Sequence, residues 1–312
     1  MIVKETSVNI LSTNARNMKY KEEDLKNKVR VFKSSIFAIH ETHYKRKGKF
    51  KMHDFIVFES IRKNKEHGGT MLGIHTGLQP VLVSEYSDKF ELIVVEVQIG
   101  NKSIRVITGY GPQESWDSSE RIPFFSALEA EIVSAELECK SVKIAMDANA
   151  KLGQKYIPND PKEMSKNGKV LSSIIDTHAL CVVNGLEGKS KGLITRHMST
   201  VNGIEQSVID FVIVSNELIK HIESIHIDDD RVNVLTTNHK TKTGTTMSKS
   251  DHNLIETKLN LKWNAKEAKV FEMFNFKDVE SQKRFKYKTT NTAVLSNIVD
   301  NNNHLIWLLK SS

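Results

Sequence analysis

Residues 207–215 read SVIDFVIVS, apolar at Val208, Ile209, Phe211, Val212, Ile213 and Val214. Successive side chains of a strand point to opposite faces, so a run of this kind is stable only where both faces are covered. A lone sheet with one wet face is thereby excluded. Nine further stretches have strand-like patterning: 7–12, 35–40, 55–60, 70–75, 90–99, 103–109, 141–146, 180–184 and 253–263. The last alternates Ile255, Thr257, Leu259, Leu261 and Trp263 with polar residues, and Gly100-Asn101 marks a hairpin turn. Three segments have helical spacing instead: Leu25, Val29 and Phe32; Ile122, Phe125, Leu128 and Ile132 after Ser118/Ser119; and Val170, Leu171, Ile174, Ile175 and His178 after Asn167. Many strands with helices between some of them predict an α/β protein with partly antiparallel sheets, two of them packed face to face and covered by helices.

That pattern fills residues 1–263, the expected body. Beyond Trp263 it weakens into an extension, residues 264–312, expected to be helical or partly flexible, with a helix over 277–286, an Asn-rich break at 301–303 and an apolar end, LIWLL. With 39% hydrophobic residues in 312, the chain can supply a large core. It has no apolar run long enough to cross a bilayer and no amino-terminal secretory pattern, and a soluble, unsecreted protein without a membrane partner is expected. Cys139 and Cys181 have neither zinc nor disulfide spacing, which fits a reducing compartment. A net charge of +7 favours polyanionic partners, and YKRKGKFK, residues 44–51, interleaves aromatics with positive charges.

Polar residues fall where the apolar stretches give out: Asn14 after the first, Glu41 after IFAIH, Tyr110 after RVITG, Asp147 and Asn149 after VKIAM, and Asp251-His252 before the last. Asn and Asp end strands for turn-chemical reasons alone. Asp210 differs, because it lies inside SVIDFVIVS, where an unpaired carboxylate would cost several kcal/mol. It either pairs with His252, fixing the ring's orientation, or bonds only to backbone N–H groups. Glu41 with Asp251 nearby would make an oxygen-rich site for Mg²⁺, which takes few protein carboxylates. There is no HExxH, Walker loop or GxSxG elbow, which weighs against zinc peptidases, P-loop ATPases and serine hydrolases.

The ordered set STNARNM, AIHETH, GYGPQ, IAMDANAKLG, GLITRH, SVIDFVIVS and KSDHN resembles the endonuclease/exonuclease/phosphatase superfamily, with its DNase I-like fold, across residues 6–263. The wording of GYGPQES, LITRH, SVIDFVIVS and KSDHN looks most like the apurinic-type endonuclease domain of LINE-type retroelements, and FNFKDVESQKRFKYKTTNT like the segment that precedes a reverse transcriptase there. The resemblance implies a four-layered α/β sandwich, two mixed sheets flanked by helices, that nicks DNA with Mg²⁺ (or Mn²⁺) and leaves a 3′-hydroxyl and a 5′-phosphate. Glu41 would bind the metal with Asp251 at the same site. Asp147 and Asn149 would orient or deprotonate water, Asn14 would hold phosphate oxygens or Asp147, and Tyr110 would donate to developing charge. Asp210 and His252 would pair, with Thr195 and Ser250 as supporting polar residues at the substrate. It further implies a reverse transcriptase or other retroelement component as partner, and nuclear action on chromosomal DNA.

Two positions depart from the family's abasic-site enzymes, which have an acid two residues after the first Asn and a Thr-Trp pair at the lesion pocket. Here those places hold Arg16 and Thr195-Arg196, and both arginines are expected on intact backbone phosphate. Residues 228–249 suit a hairpin that enters a DNA groove or an ordinary exposed one. His40, His43, His67 and His178 receive no role, His178 being assigned to helix packing. Two rival functions are a phosphodiesterase or phosphatase of the same superfamily acting on RNA, phosphorylated small molecules or lipids, and a catalytically inactive nucleic-acid-binding module.

Overall fold

A computed structural model describes residues 5–62, 68–87, 89–241, 244–264, 295–299 and 305–309. In chain order the elements are β1 (Glu5–Asn14), α1 (Glu22–Val31), β2 (Ile36–His40), β3 (Phe55–Ser60), β4 (Thr70–His75), β5 (Val81–Tyr86), β6 (Glu91–Ile99) and β7 (Lys102–Tyr110). Then follow α2 (Ser118–Leu137), β8 (Ser141–Asp147), α3 (Lys166–Thr177), β9 (Leu180–Val182), β10 (Ser190–Lys191), β11 (Arg196–Thr200) and β12 (Gly203–Ser207). The body closes with β13 (Asp210–Ser215), β14 (Ile222–Ile227), β15 (Thr236–Thr241), β16 (Gly244–Lys249) and β17 (Ile255–Asn264).

The doubly apolar run becomes β13, held antiparallel between β8 and β9 inside a six-stranded sheet ordered β5-β6-β7-β8-β13-β9. A seven-stranded sheet, β10-β14-β17-β1-β2-β4-β3, faces it. Val212 and Val214 point into the core between the sheets, with Ile10 and Ile36 of the facing sheet and Val95 and Ala145 of their own. Phe211 and Ile213 point the other way, onto Phe125 and Leu128 of α2 and Leu171 and Ile175 of α3. Leu25 and Val29 of α1 cover the far face of the seven-stranded sheet at Leu11, Phe37 and Ile39. The order helix, sheet, sheet, helix is the expected four-layered sandwich. The β6–β7 hairpin turns at Gly100, whose φ of +62° a glycine adopts without strain.

Several details differ from the sequence reading. Ile122 and Val170, expected on buried helix faces, are 55% and 36% exposed, and Phe32 is the residue after α1 rather than within it. α3 begins at Lys166, because the Ser165 hydroxyl accepts from the Gly168 amide as N-cap. His178 is the C-cap of α3, its ring beside Glu136 and Glu129. The reading missed β5, β10, β11, β12 and β14. β5 is an edge strand that leaves Val81, Leu82 and Val83 exposed, and in β14 a register shift between Ile222 and Ser224 breaks the alternation.

Chain contacts divide the molecule into two compact units, Met1–Ala268 and Lys269–Ser312. In the second, β18 (Leu295–Val299) and β19 (Leu305–Leu309) pair antiparallel. The helical character expected of the extension is not what this part shows, since LIWLL is strand; residues 277–286 lie outside the described residues. No helix among the described residues is long and apolar enough to cross a membrane.

Lys143 of β8 is a misfit in the core, fully buried with its Nζ lacking a hydrogen-bond partner among the described residues. Burial pushes its ammonium down from 10.5 to about 7. Between those two pH values the unfolded chain holds a proton that the folded chain has released, so stability rises with pH across that window. Lys143→Met is expected to add about 3 kcal/mol at pH 7 and to flatten the rise between pH 7 and 10.5, measured by urea unfolding. A variant no more stable than wild type would show that the ammonium is solvated.

Candidate active site

Strand register brings the polar strand ends to one rim. β1 and β2 are parallel, with Asn14 level with His40 and Glu41 one residue further on. β7 and β8 are parallel, with Tyr110 level with Asp147, and antiparallel β13 starts with Asp210 level with Asp147. Among the hydrogen bonds that cross between the sheets, Asn14 Nδ2 donates to Asp147 Oδ2 at 2.8 Å and the Tyr110 hydroxyl donates to Glu41 Oε1. Glu41 and Asn149, just past the ends of β2 and β8, have φ values of +50° and +45°, a left-handed conformation that L residues adopt sparingly.

Glu41, Tyr110, Asp147, Asn149, Asp251 and His252 line a single cleft of about 460 Å³. Arg16, Lys151 and Arg196 line it too. Asn14 and Asp210 stand behind this surface, 1% and 2% exposed. His252 Nδ1 lies 2.8 Å from Asp210 Oδ2, which supplies the partner that the buried carboxylate requires. The ring's Nε2 is 3.9 Å from Asp147 Oδ2. Burial works against a charged ring, but Asp210, then Asp147 and Asp251, outweigh it and raise the His252 pKa. Asp147 moves up as well, through burial and the neighbouring Asp210 carboxylate, against the opposing pull of His252 and Asn14. Its Oδ1 accepts from the Asn149 amide at 3.0 Å. Burial, followed by the charges of Glu41 and Asp147, raises the Tyr110 pKa and keeps the phenol a donor.

Asp251 is the meeting point of both arginines that depart from the abasic-site pattern. Arg196 Nε is 3.3 Å and Arg16 NH1 3.7 Å from its Oδ2. Burial opposes its charge, yet His252, Arg196 and Arg16 hold its carboxyl below the usual range. Its Oδ1 is buried without a hydrogen-bond partner among the described residues, an oxygen that suits a cation. Asp147, Asp210 and His252 also offer one atom each within 4.8 Å and could hold a metal ion. Their atoms are largely committed already, to Asn14, to the Asn149 amide and to one another.

Thr195 and Ser250, expected at the substrate, are fully buried braces. Thr195 Oγ1 accepts from the Ile209 and Asp210 amides at 2.9 and 3.1 Å, fixing the start of β13. Ser250 Oγ donates to the Asn14 carbonyl at 2.7 Å and accepts from the His252 amide at 3.2 Å. Asn149 Nδ2 donates to the Gly111 carbonyl, so this side chain ties the Asp147 loop to the end of β7. Sequence reasoning missed Asn167, whose buried amide donates to the Pro112 and Asn149 carbonyls, and Lys21, whose ammonium donates to the Ala15 carbonyl near the charges of Asp251 and Glu41. It also gave Asn253 no role, although its backbone amide donates to the Thr195 carbonyl at 2.7 Å. A polar residue facing inward from a loop, or from the first turn of a helix as Asn167 does, has no periodicity that would have flagged it.

Two mixed sheets with helices outside and a polar cleft at the strand ends are the DNase I-like fold. Solved structures of this fold match the chain over most of both lengths. The endonuclease domain of TRAS1, a telomere-specific non-LTR retrotransposon, has a TM-score of 0.58 at 17% identity, covering 81% of this chain and 99% of that domain. The catalytic domain of Xenopus laevis APE2 has a TM-score of 0.64 at 13% identity, covering 83% and 94%. A 3′ phosphatase from Neisseria, NExo, bound to product DNA hairpin, has a TM-score of 0.57 at 15% identity, covering 81% and 99%. At these identities the likeness is one of fold. No family model and no curated protein matches the sequence.

Proposed function

We propose that the chain is a divalent-metal-dependent DNA endonuclease of the endonuclease/exonuclease/phosphatase superfamily, nicking one strand on behalf of a retroelement or derived from one. The observation that carries this reading is one cleft in which Glu41, Tyr110, Asp147, Asn149, Asp251 and His252 meet under three basic side chains. A neutral or apolar ligand would gain little from such a lining, whereas a phosphodiester needs both its acids and its cations. The fold is that of a retrotransposon endonuclease domain and of a phosphatase bound to a DNA product, which supports DNA as substrate and a retroelement as origin.

In the proposed mechanism Asp147, oriented by Asn14 and by the Asn149 amide, accepts a proton from the attacking water. The water oxygen forms its bond to phosphorus as the bond to O3′ breaks, giving a 5′-phosphate and a 3′-hydroxyl. His252, held charged by Asp210, presents Nε2–H to the phosphoryl oxygens as negative charge gathers there. Tyr110, its hydroxyl turned from Glu41 once that carboxylate is taken up by the metal, donates its one hydrogen bond to the departing oxygen, which takes its proton from solvent. Glu41 and Asp251 Oδ1 would hold the metal, which when bound neutralises phosphate charge and lowers the barrier to attack. Arg16 and Arg196 take phosphates flanking the scissile bond.

The test is supercoiled plasmid with Mg²⁺ or Mn²⁺. Open circles that DNA ligase reseals are expected, because ligase requires a 3′-hydroxyl and a 5′-phosphate, and Tyr110→Phe is expected to slow their formation roughly 10- to 100-fold. Plasmid that is bound but stays intact would sink the reading in favour of a binding module. Phosphate released from sugars or lipids without nicking would sink it in favour of a phosphatase.

A further inference from the structure

The turn after β14, residues 228–231, carries side chains that the proposed mechanism leaves unused. Asp229 Oδ2 accepts from the Leu193 amide at 2.9 Å and Oδ1 from the Ile194 amide at 2.8 Å. That fixes the loop leading into Thr195 and Arg196. Arg231 reaches the opposite loop, where NH1 donates to the Asp251 carbonyl at 3.0 Å and to Asn253 Oδ1 at 3.2 Å, while NH2 donates to the Ser250 carbonyl. The Arg231 backbone sits at φ +56°, a left-handed conformation unfavourable for arginine, in a turn tied by its amide to the Asp228 carbonyl at 2.9 Å. Asp228 in turn donates its amide to the Leu254 carbonyl at 3.0 Å. The two loops also join directly: the His197 amide donates to the Asp251 carbonyl at 2.8 Å and Asn253 Nδ2 to the Ile194 carbonyl at 2.6 Å.

We propose that Arg231, with Asp229, is a positioning residue that clamps the Asp251–His252 loop to the Thr195–Arg196 loop and so sets the geometry of the cleft. This inference rests on the functional reading above for its catalytic consequence, though not for the clamp itself. A planar guanidinium can bond several acceptors at once in fixed directions, which an ammonium cannot reproduce. Here it fastens the carbonyls on either side of the Asp251 side chain, and those carbonyls decide where the free Oδ1 of Asp251 and the ring of His252 point. Catalytic groups work only when neighbouring residues hold them to fractions of an ångström.

The experiment compares full-length Arg231→Met, Arg231→Lys and Asp229→Asn with wild type. Hydrogen exchange, read without metal or DNA, is expected to quicken roughly tenfold or more at 193–197 and 250–254 in Arg231→Met while β6, β7 and β8 stay protected. Mn²⁺ binding, followed by electron paramagnetic resonance, is expected to weaken roughly tenfold. The kcat for plasmid nicking should fall roughly 100-fold with KM within about twofold, and Arg231→Lys should recover only part of each loss. Exchange at the two loops no faster than in wild type would overturn the clamp, and so would protection lost evenly across the body. A wild type that nicks no DNA, combined with the expected local exchange, would end the functional reading and leave the clamp standing.

Discussion

His252→Ala is expected to nick plasmid roughly 10³-fold more slowly than wild type. The ring is 4% exposed, bonded through Nδ1 to Asp210, and its Nε2 faces the Asp147 carboxylate across 3.9 Å. Its removal takes away the buried cation that offsets charge at phosphorus and leaves Asp210 as a buried carboxylate without its partner. The second effect belongs to stability, about 3 kcal/mol for a broken buried pair, and would confuse the first if measured alone. Asp210→Asn separates them. The amide keeps the shape, removes the buried negative charge and deprives the ring of the partner that holds it protonated and oriented, so the rate should again fall by roughly 10³-fold with the melting temperature nearly unchanged. Rates within tenfold of wild type in Asp210→Asn would remove the Asp-His pair from the chemistry.

That Asp210 needs a partner was legible from the chain, because SVIDFVIVS buries a carboxylate between residues covered on both faces; whether His252 or backbone N–H groups would supply it was left open, and the fold decides for His252. The rim residues were legible for a related reason. Asn14, Tyr110 and Asp147 are the last residues of β1, β7 and β8, and a polar side chain that follows an apolar strand stands at the sheet's end. Which strand ends share one rim is a matter of register and sheet order, and pattern cannot supply it; β1 and β17 pair across most of the sequence, level at Leu11 and Glu256. Thr195 and Ser250 show the other limit. Their motifs signalled proximity to the chemistry, but a hydroxyl there serves equally to hold a backbone amide, and burial decided for the backbone. Arg231 was invisible because its work is done on carbonyl oxygens, which every residue has. The Arg16 and Arg196 departures were readable as residues, while their convergence on Asp251 depends on a fold that brings β11 beside the loop before β17.

Asp251→Asn is expected to weaken Mn²⁺ binding roughly 10- to 100-fold and to cut nicking at fixed Mg²⁺ roughly 10³-fold, with Glu41→Gln behaving alike. The contrast with Asp210→Asn gives this result its force. If the ion belonged to the Asp147, Asp210 and His252 cluster, Asp210→Asn would weaken Mn²⁺ and Asp251→Asn would leave it bound. The hydrogen bonds argue otherwise, since His252 Nδ1 and Asp210 satisfy each other, and both oxygens of Asp147 already have donors. Asp251 Oδ1 has none among the described residues, and a buried carboxylate oxygen without a donor is costly unless a cation completes it. The two arginines on Oδ2 lessen that cost without removing it, because they approach the other oxygen. Arg196→Met is therefore expected to leave Mn²⁺ binding within about threefold of wild type while weakening affinity for DNA, measured as a smaller salt dependence of binding. Loss of Mn²⁺ in Asp210→Asn with binding kept in Asp251→Asn would move the ion into the buried cluster and leave Asp251 as an anchor for the arginines alone.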